Sequence, residues 1–137
     1  MANEVVITTL LGNNGDPVEY TVAAGTAIAK GTIMKISSSP QTAAAATADG
    51  NFIAGIAATE KTATDGITKM SCITHCVCDA YSTTGMVLGQ PQKIEGANAV
   101  TDADDDTIEK SAEVFGYSLE TNAGTAASAV LVNLGYI

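Results

Sequence analysis

The stretch GTIMKI at residues 31–36 recurs as GQPQKI at residues 89–94, and this repetition is the strongest indication of the fold. A second stretch, FIAGIAATE at residues 52–60, recurs more loosely as VFGYSLE at residues 114–120. Each half of the chain therefore runs from a glycine-led short strand through a polar loop to a strand with a central glycine, and then to a long alternating strand. Repeated units of this kind usually bury a shared core. The repetition involves scaffold residues, since no catalytic group stands at the same place in both copies.

The composition favours one compact all-β domain. The 137 residues contain no tryptophan, two phenylalanines and four tyrosines. Many short stretches with glycine-containing turns and almost no helical periodicity are typical of a sandwich or barrel. We expect a small single-domain β-barrel or β-sandwich over residues 18–137, with pseudo-repeats over about 22–81 and 82–137. Residues 1–17 lie outside the repetition and predict an extended N-terminal arm or edge strand.

Three segments carry further structural expectations. Residues 67–81 are the longest extended candidate, whereas residues 37–50 predict a surface loop and residues 95–109 an acidic loop. In the predicted last strand, alternate positions share one face: Ala126, Ser128, Val130, Val132 and Leu134.

The charge of the chain excludes some classes of partner. Six Lys and Arg residues against fifteen Asp and Glu residues give a net charge of -9. Such a surface repels nucleic acid and anionic membranes, because phosphate binding needs clustered cations. No stretch approaches the roughly 18 apolar residues of a membrane span. The N-terminus lacks the basic start and apolar core of a signal peptide, so we expect synthesis inside a cell.

The cluster CITHCVC at residues 72–78 suggests zinc ligands. On a strand, however, Cys72, Cys76 and Cys78 point to one face and His75 to the other, which does not suit a tetrahedral site. The favoured interpretation is that the cysteines are small core hydrophobes. The same geometry argues against a Cys–His nucleophilic pair.

The acidic run after Asp102 resembles a calcium-binding loop in part. Carboxylates fall at loop positions one, three, five and twelve, which are Asp102, Asp104, Asp106 and Glu113. An EF-hand also needs glycine at position six, where this chain has Thr107. We therefore favour a solvated acidic loop.

No motif for catalysis or nucleotide binding occurs, and the sequence predicts neither an enzyme nor a cofactor. Lys35 and Lys93 occupy equivalent places in the repetition. The favoured interpretation is outward strand residues that discourage edge pairing, and the alternative is contact with an acidic partner.

Two stretches resemble the tailed-phage capsid decoration, or cement, proteins. Residues 22–36 (VAAGTAIAKGTIMKI) are similar to that family's opening run of apolar residues and glycines before a strand, and residues 48–57 (ADGNFIAGIA) to its glycine-containing strand element. A glycine turn at residues 65–66 and a strand at 70–78 follow in the family's order. The second copy, residues 85–134, matches more loosely, since Tyr117 and Ser118 replace small apolar residues after Gly116.

The resemblance implies a non-enzymatic structural virion protein. Members of that family bind the outside of an icosahedral head, often as trimers, and reinforce it against internal DNA pressure. By this resemblance the partner is the major capsid protein, with self-association on the capsid. The localisation is the capsid exterior after synthesis in the host cytoplasm. The family carries no catalytic residues.

The N-terminal β-branched segment is the predicted capsid contact. It could add a strand to an edge of the capsid protein or pair within its own sheet. The contact candidates are Val5, Val6, Ile7, Thr8, Thr9, Leu10 and Leu11. The alternative function is a small β-barrel ligand- or carbohydrate-binding module, which the low aromatic content disfavours because sugar platforms rely on aromatic faces.

Overall fold

The computed structural model describes residues 3–10, 17–49, 51–103 and 113–134. These residues form eleven β-strands and no α-helix. The strands are Val6–Leu10 (β1), Val18–Thr21 (β2), Ile33–Ile36 (β3), Ala43–Ala45 (β4), Ile53–Ala57 (β5), Lys69–Ile73 (β6), His75–Ser82 (β7), Pro91–Gly96 (β8), Ala99–Asp102 (β9), Val114–Ser118 (β10) and Ala126–Asn133 (β11). The described part of the chain contains no helix long and apolar enough to cross a membrane.

One sheet closes into a five-stranded barrel. Strands β7, β11, β10, β8 and β9 pair antiparallel in that order, and β9 returns to β7 through the parallel pair Tyr81 and Ala99. Strand β1 adds antiparallel to the same edge of β7, with Val6 opposite Asp79 and Leu10 opposite Cys76. The predicted all-β, single-domain fold is confirmed.

The second sheet repeats the topology of the barrel. Its strands pair antiparallel in the order β2, β6, β5, β3 and β4, and a parallel bridge between Thr21 and Thr42 brings its two ends together. Strands β2–β6 are called repeat 1 and strands β7–β11 repeat 2. Each strand of repeat 1 therefore has a counterpart in repeat 2.

The strand registers match residue by residue. Met34 lies opposite Gly55 in repeat 1, and Gln92 lies opposite Gly116 in repeat 2. Both strand pairs then skip one residue at the same place, which is a β-bulge. The join between the repeats falls at Thr74, whereas the sequence predicts it near residue 81. The difference arises because β6 and β7, expected as one strand, belong to different sheets and are separated by Thr74 alone.

Two strands occupy segments for which the sequence predicts loops. Strand β4 lies in the serine- and alanine-rich stretch and β9 at the start of the acidic stretch, at equivalent places in the two repeats. Ala43 lies opposite Ile36 of β3, Val100 lies opposite Ile94 of β8, and both side chains are buried. These strands escape prediction because neither segment alternates between apolar and polar residues.

The inner face of β11 follows the predicted alternation. Ser128, Val130 and Val132 are buried, and Leu134 packs against the core. Ala126, at the start of the strand, is exposed.

The buried apolar residues form two clusters. One fills the inside of repeat 1 and includes Met34, Ala54 and Met70. The other fills the inside of repeat 2, and it also takes in Ile33 and Ile56 from repeat 1. Because one cluster draws on both repeats, they form one folding unit.

Polar contacts add to the join between the repeats. The Ile33 N–H donates to Asn98 Oδ1 at 2.9 Å. The Lys93 ammonium lies 3.0 Å from Asp49 Oδ1. Lys93 is thus buried and paired within its own chain, which contradicts the expectation of an outward strand residue. Lys35 is half-buried and donates to Thr47 Oγ1.

Candidate functional site

The predicted N-terminal contact segment is strand β1 of the chain's own sheet. Val5 is buried in the cluster that draws on both repeats, which is called the shared cluster, and its N–H donates to Gly31 O at 2.9 Å. Ile7 is half-buried against the same cluster. The structure therefore shows the second of the two predicted alternatives, pairing within the chain. Leu11 lies outside the described residues.

The outward side of β1 presents exposed side chains. Val6 is 61% exposed, and Thr8 and Thr9 are also exposed, although Thr8 Oγ1 donates to Val77 O. A groove of about 730 Å³ lies beside β1. It is distinct from a second cavity of about 430 Å³, which is described below. That groove is lined by residues 5–9 together with Lys30, Gly31, Ala58 and Ile73. The strand thus has an open side to which another chain could add.

The cysteines lie in the interiors of the two sheets. Cys72 is buried in the repeat 1 cluster, and Cys76 and Cys78 in the shared cluster. Burial raises the pKa of Cys72 to about 11, so that its thiol is neutral near pH 7. The hydrogen bond that the Cys78 thiol donates to Cys76, together with burial, raises the pKa of Cys78. His75 is half-buried on the alternate face of β7, and no metal-ligand cluster occurs among the described residues.

Only the ends of the acidic segment lie within the described chain. The Asp102 carboxylate accepts hydrogen bonds from the Val87 N–H and from Gln92 Nε2, the latter at 2.7 Å. Glu113 is buried. Asp104 and Asp106 lie outside the described residues.

Repeat 1 has an outer apolar face that is covered by the rest of the molecule. It consists of Ile33, Ile53, Ile56 and Ile73, which lie on the opposite side of the sheet from Met34. The first three are at most 6% exposed, because the interior of repeat 2 and Val5 pack against them. This face is therefore an interface within the chain.

Repeat 2 carries the counterpart of this face without a cover among the described residues. The strand registers place Pro91, Val114, Tyr117 and Leu131 at the equivalent positions. Tyr117 is 44% exposed, and the other three are half-buried. These four residues, with Gly89, Gly116 and Asn133, line the cavity of about 430 Å³. The four are called the outer face of repeat 2.

Large exposed apolar side chains extend this face at one end. Val87 is 53% exposed, Leu88 61% and Leu119 38%. Contiguous exposed apolar surface on a soluble protein marks an interaction site more often than scattered single residues do.

Sequence reasoning missed the outer face of repeat 2. The repetition itself held the signal, because aligning Gly55 with Gly116 pairs Ile53 with Val114 and Ile56 with Tyr117. The alignment does not show which of the two faces is covered by other residues of the chain.

Comparisons with known proteins give a fold likeness at low identity. No protein-family model matches the chain, and no curated protein matches it. Among solved structures, the chain is similar to the N base of head fiber gp8.5 in bacteriophage phi29, with a TM-score of 0.57 and 13% identity. The match covers 86% of this chain and 95% of that one. At this identity the likeness establishes the fold alone.

Proposed function

We propose that this chain is a non-enzymatic structural protein of a tailed-phage virion that binds the outer surface of the head and stabilises it. The observation that carries the proposal is the fold likeness to a phage head-fiber base over 95% of that chain. The motif resemblance to capsid decoration proteins, at residues 22–36 and 48–57, supports it independently.

The partner in this proposal is the major capsid protein, and copies of the chain associate on the shell as trimers. A head-binding protein occupies many equivalent sites and must stay soluble at high copy number. The net charge of -9 serves that requirement. The protein is made in the host cytoplasm and resides on the capsid exterior.

The exposed side of β1 remains a candidate contact. Val6 projects outward beside the groove, so a strand of the capsid protein could add there by main-chain hydrogen bonds. The carbohydrate-binding alternative draws support only from Tyr117, since the remaining residues around the smaller cavity are not aromatic.

The test is co-sedimentation of the purified protein with DNA-filled heads prepared without it. We expect saturable binding, and the decorated heads should survive more heat or chelator than bare ones. Absence of binding to those heads would contradict the proposal.

A matched pair of variants tests the β1 contact. Val6→Lys places a cation opposite Asp79, so the fold should tolerate it while strand addition at the groove is impaired. Ile67→Lys changes an apolar residue that is 40% exposed and does not line the groove, and this variant should bind heads like the wild type. Equal binding of both variants would exclude β1 as a contact.

A further inference from the structure

We infer that the outer face of repeat 2 receives an extended apolar segment of a capsid subunit, whose main chain passes over Gly89. This inference rests on the proposed function and identifies the surface through which it acts. The chain itself shows how such a face is filled, because the equivalent face of repeat 1 is covered by the chain's own residues.

Two equivalent glycines, one in each repeat, differ in whether a chain segment passes over them. Gly31 and Gly89 begin the same strand in the two repeats, with φ of 87° and 82°. A Cβ at residue 31 would lie 2.5 Å from Val5 O, because the N-terminal segment passes directly over that glycine. A Cβ at residue 89 would meet no atom of the described residues within 4 Å. In the described part of the chain, repeat 2 therefore leaves the same glycine uncovered, where a covering segment would pass.

The residues around Gly89 are larger and more apolar than those around Gly31. The bridges of Ile28 with Lys61 and of Met86 with Asn122 align the two loops. Ala29 and Lys30 of repeat 1 thereby correspond to Val87 and Leu88, and Ala58 corresponds to Leu119. Contact of three large apolar side chains with water is unfavourable, and their burial against a partner in an assembly would remove it.

The chemistry of the occupant follows from its counterpart and from the charge of the rim. On repeat 1 the covering segment is extended, and its Val5 N–H bonds to the carbonyl of the glycine. On repeat 2 the rim is acidic, with exposed Glu120 beside Leu119 and the Asp102 carboxylate at Val87. The complementary occupant is an extended segment with a β-branched residue at its centre and Lys or Arg at its flanks.

A second copy of the chain is a poorer occupant. Its own N-terminal strand is already bound to β7 and to Gly31. Releasing that strand would uncover Val5 and the outer face of repeat 1. A copy of net charge -9 would also meet an acidic rim.

The experiment compares Gly89→Asn with Gly66→Asn in the head-binding assay. Both glycines have positive φ, no described residue lies within 4 Å of an added Cβ, and asparagine tolerates that backbone conformation. We expect Gly89→Asn to bind heads at least tenfold more weakly, because its side chain occupies the path of the segment. Gly66→Asn should bind like the wild type. Tyr117→Ser, at an exposed position that leaves the backbone unchanged, should weaken binding in the same direction.

A photo-reactive residue at Leu88 identifies the occupant. Cross-linking to the major capsid protein would support the inference, whereas cross-linking to another copy of this chain would overturn it. If the wild type binds heads and both Gly89→Asn and Tyr117→Ser bind equally well, the inference is wrong while head binding stands. If the wild type itself binds no heads, the proposed function fails, and the inference fails with it.

Discussion

Gly116 illustrates how single residues are constrained by the close approach of two strands. A Cβ at this position would overlap Leu131 O of the neighbouring strand. At the equivalent position in repeat 1, a Cβ on Gly55 would lie 2.7 Å from Ile73 O. The central glycine of the repeated motif thus has the same steric cause in both copies.

We therefore expect Gly116→Ala to lower the free energy of unfolding by about 3 kcal/mol, the upper range for inserting a methyl group into a packed site. Urea denaturation monitored by circular dichroism measures the change. Gly96→Ala is the matched control, since no atom of the described residues lies within 4 Å of its added Cβ. An equal effect of both substitutions would contradict the steric explanation.

Asp65 makes stability dependent on acid pH. Its carboxylate accepts hydrogen bonds from the Ile67 and Thr62 N–H groups, at 2.9 and 2.8 Å. The bond from Ile67 is the main cause of a pKa below the ordinary 3.8. Because folding lowers this pKa, the ionised carboxylate stabilises the fold at every pH above the ordinary pKa of 3.8. This stabilisation is lost as the pH falls from 3.8 through the lowered pKa of the folded state.

Asp65→Ala should consequently lower the Tm at pH 7, and the difference from the wild type should shrink below pH 3.8. Thermal unfolding followed from pH 7 downward measures it. Thr64→Ala, at an exposed residue of the same turn that carries no titratable group, should show no comparable pH-dependent difference. A Tm difference that is constant with pH would rule out the linkage.

Lys61 shows what sequence reasoning cannot find at this scale. It is one of six Lys and Arg residues, yet it is only 2% exposed. Its ammonium donates to the carbonyls of Ala24, Thr26 and Thr62, at 2.7 to 3.2 Å. Lysine is rarely buried without such partners, and loop carbonyls that converge in space leave no sequence pattern.

Among the elements, β1 has two faces with different roles. Val5, just before the strand, is 6% exposed, and Val6 is 61% exposed. We expect Val5→Ala to cost about 2 kcal/mol of unfolding free energy, through two lost methyl groups and the cavity they leave. Val6→Ala should cost less than about 0.5 kcal/mol. Chemical denaturation of both variants tests the assignment, which similar losses would contradict.

The strands that were predicted and those that were missed differ in how their side chains alternate. β11 was predicted correctly because Ser128, Val130 and Val132 share a buried face. β4 and β9 were missed because each has only three or four residues and does not alternate between apolar and polar side chains. Alanine also carries little strand propensity, so that only tertiary pairing determines the conformation of β4.

For the whole molecule, the shared cluster predicts cooperative unfolding. Ile33, Ile53 and Ile56 of repeat 1 pack with residues of repeat 2, so unfolding of either repeat breaks up the shared cluster and exposes apolar side chains of the other repeat. We expect one calorimetric transition, with equal van't Hoff and calorimetric enthalpies. Ile56→Ala should lower the Tm of this single transition without dividing the transition into two. Two resolved transitions would show that the repeats fold independently.

At this scale, the sequence allowed the fold class and the repetition to be predicted, and only part of the candidate site. The N-terminal segment was found because its β-branched residues stand out. The outer face of repeat 2 was missed because Pro91 and Tyr117 resemble neither each other nor the isoleucines they replace. Whether such a face is buried depends on what packs against it, and local sequence does not encode that.

The tandem arrangement has an evolutionary consequence. Repetition of one unit gives two equivalent outer faces, and the described part of the chain covers only the face of repeat 1. Selection on Ile33, Ile53 and Ile56 therefore acts through packing within the chain. The outer face of repeat 2 has no such cover among the described residues, so its side chains can change together with an external partner. Among proteins that share this repetition we expect aliphatic residues to persist at the first set of positions, while positions 91, 114 and 117 diversify.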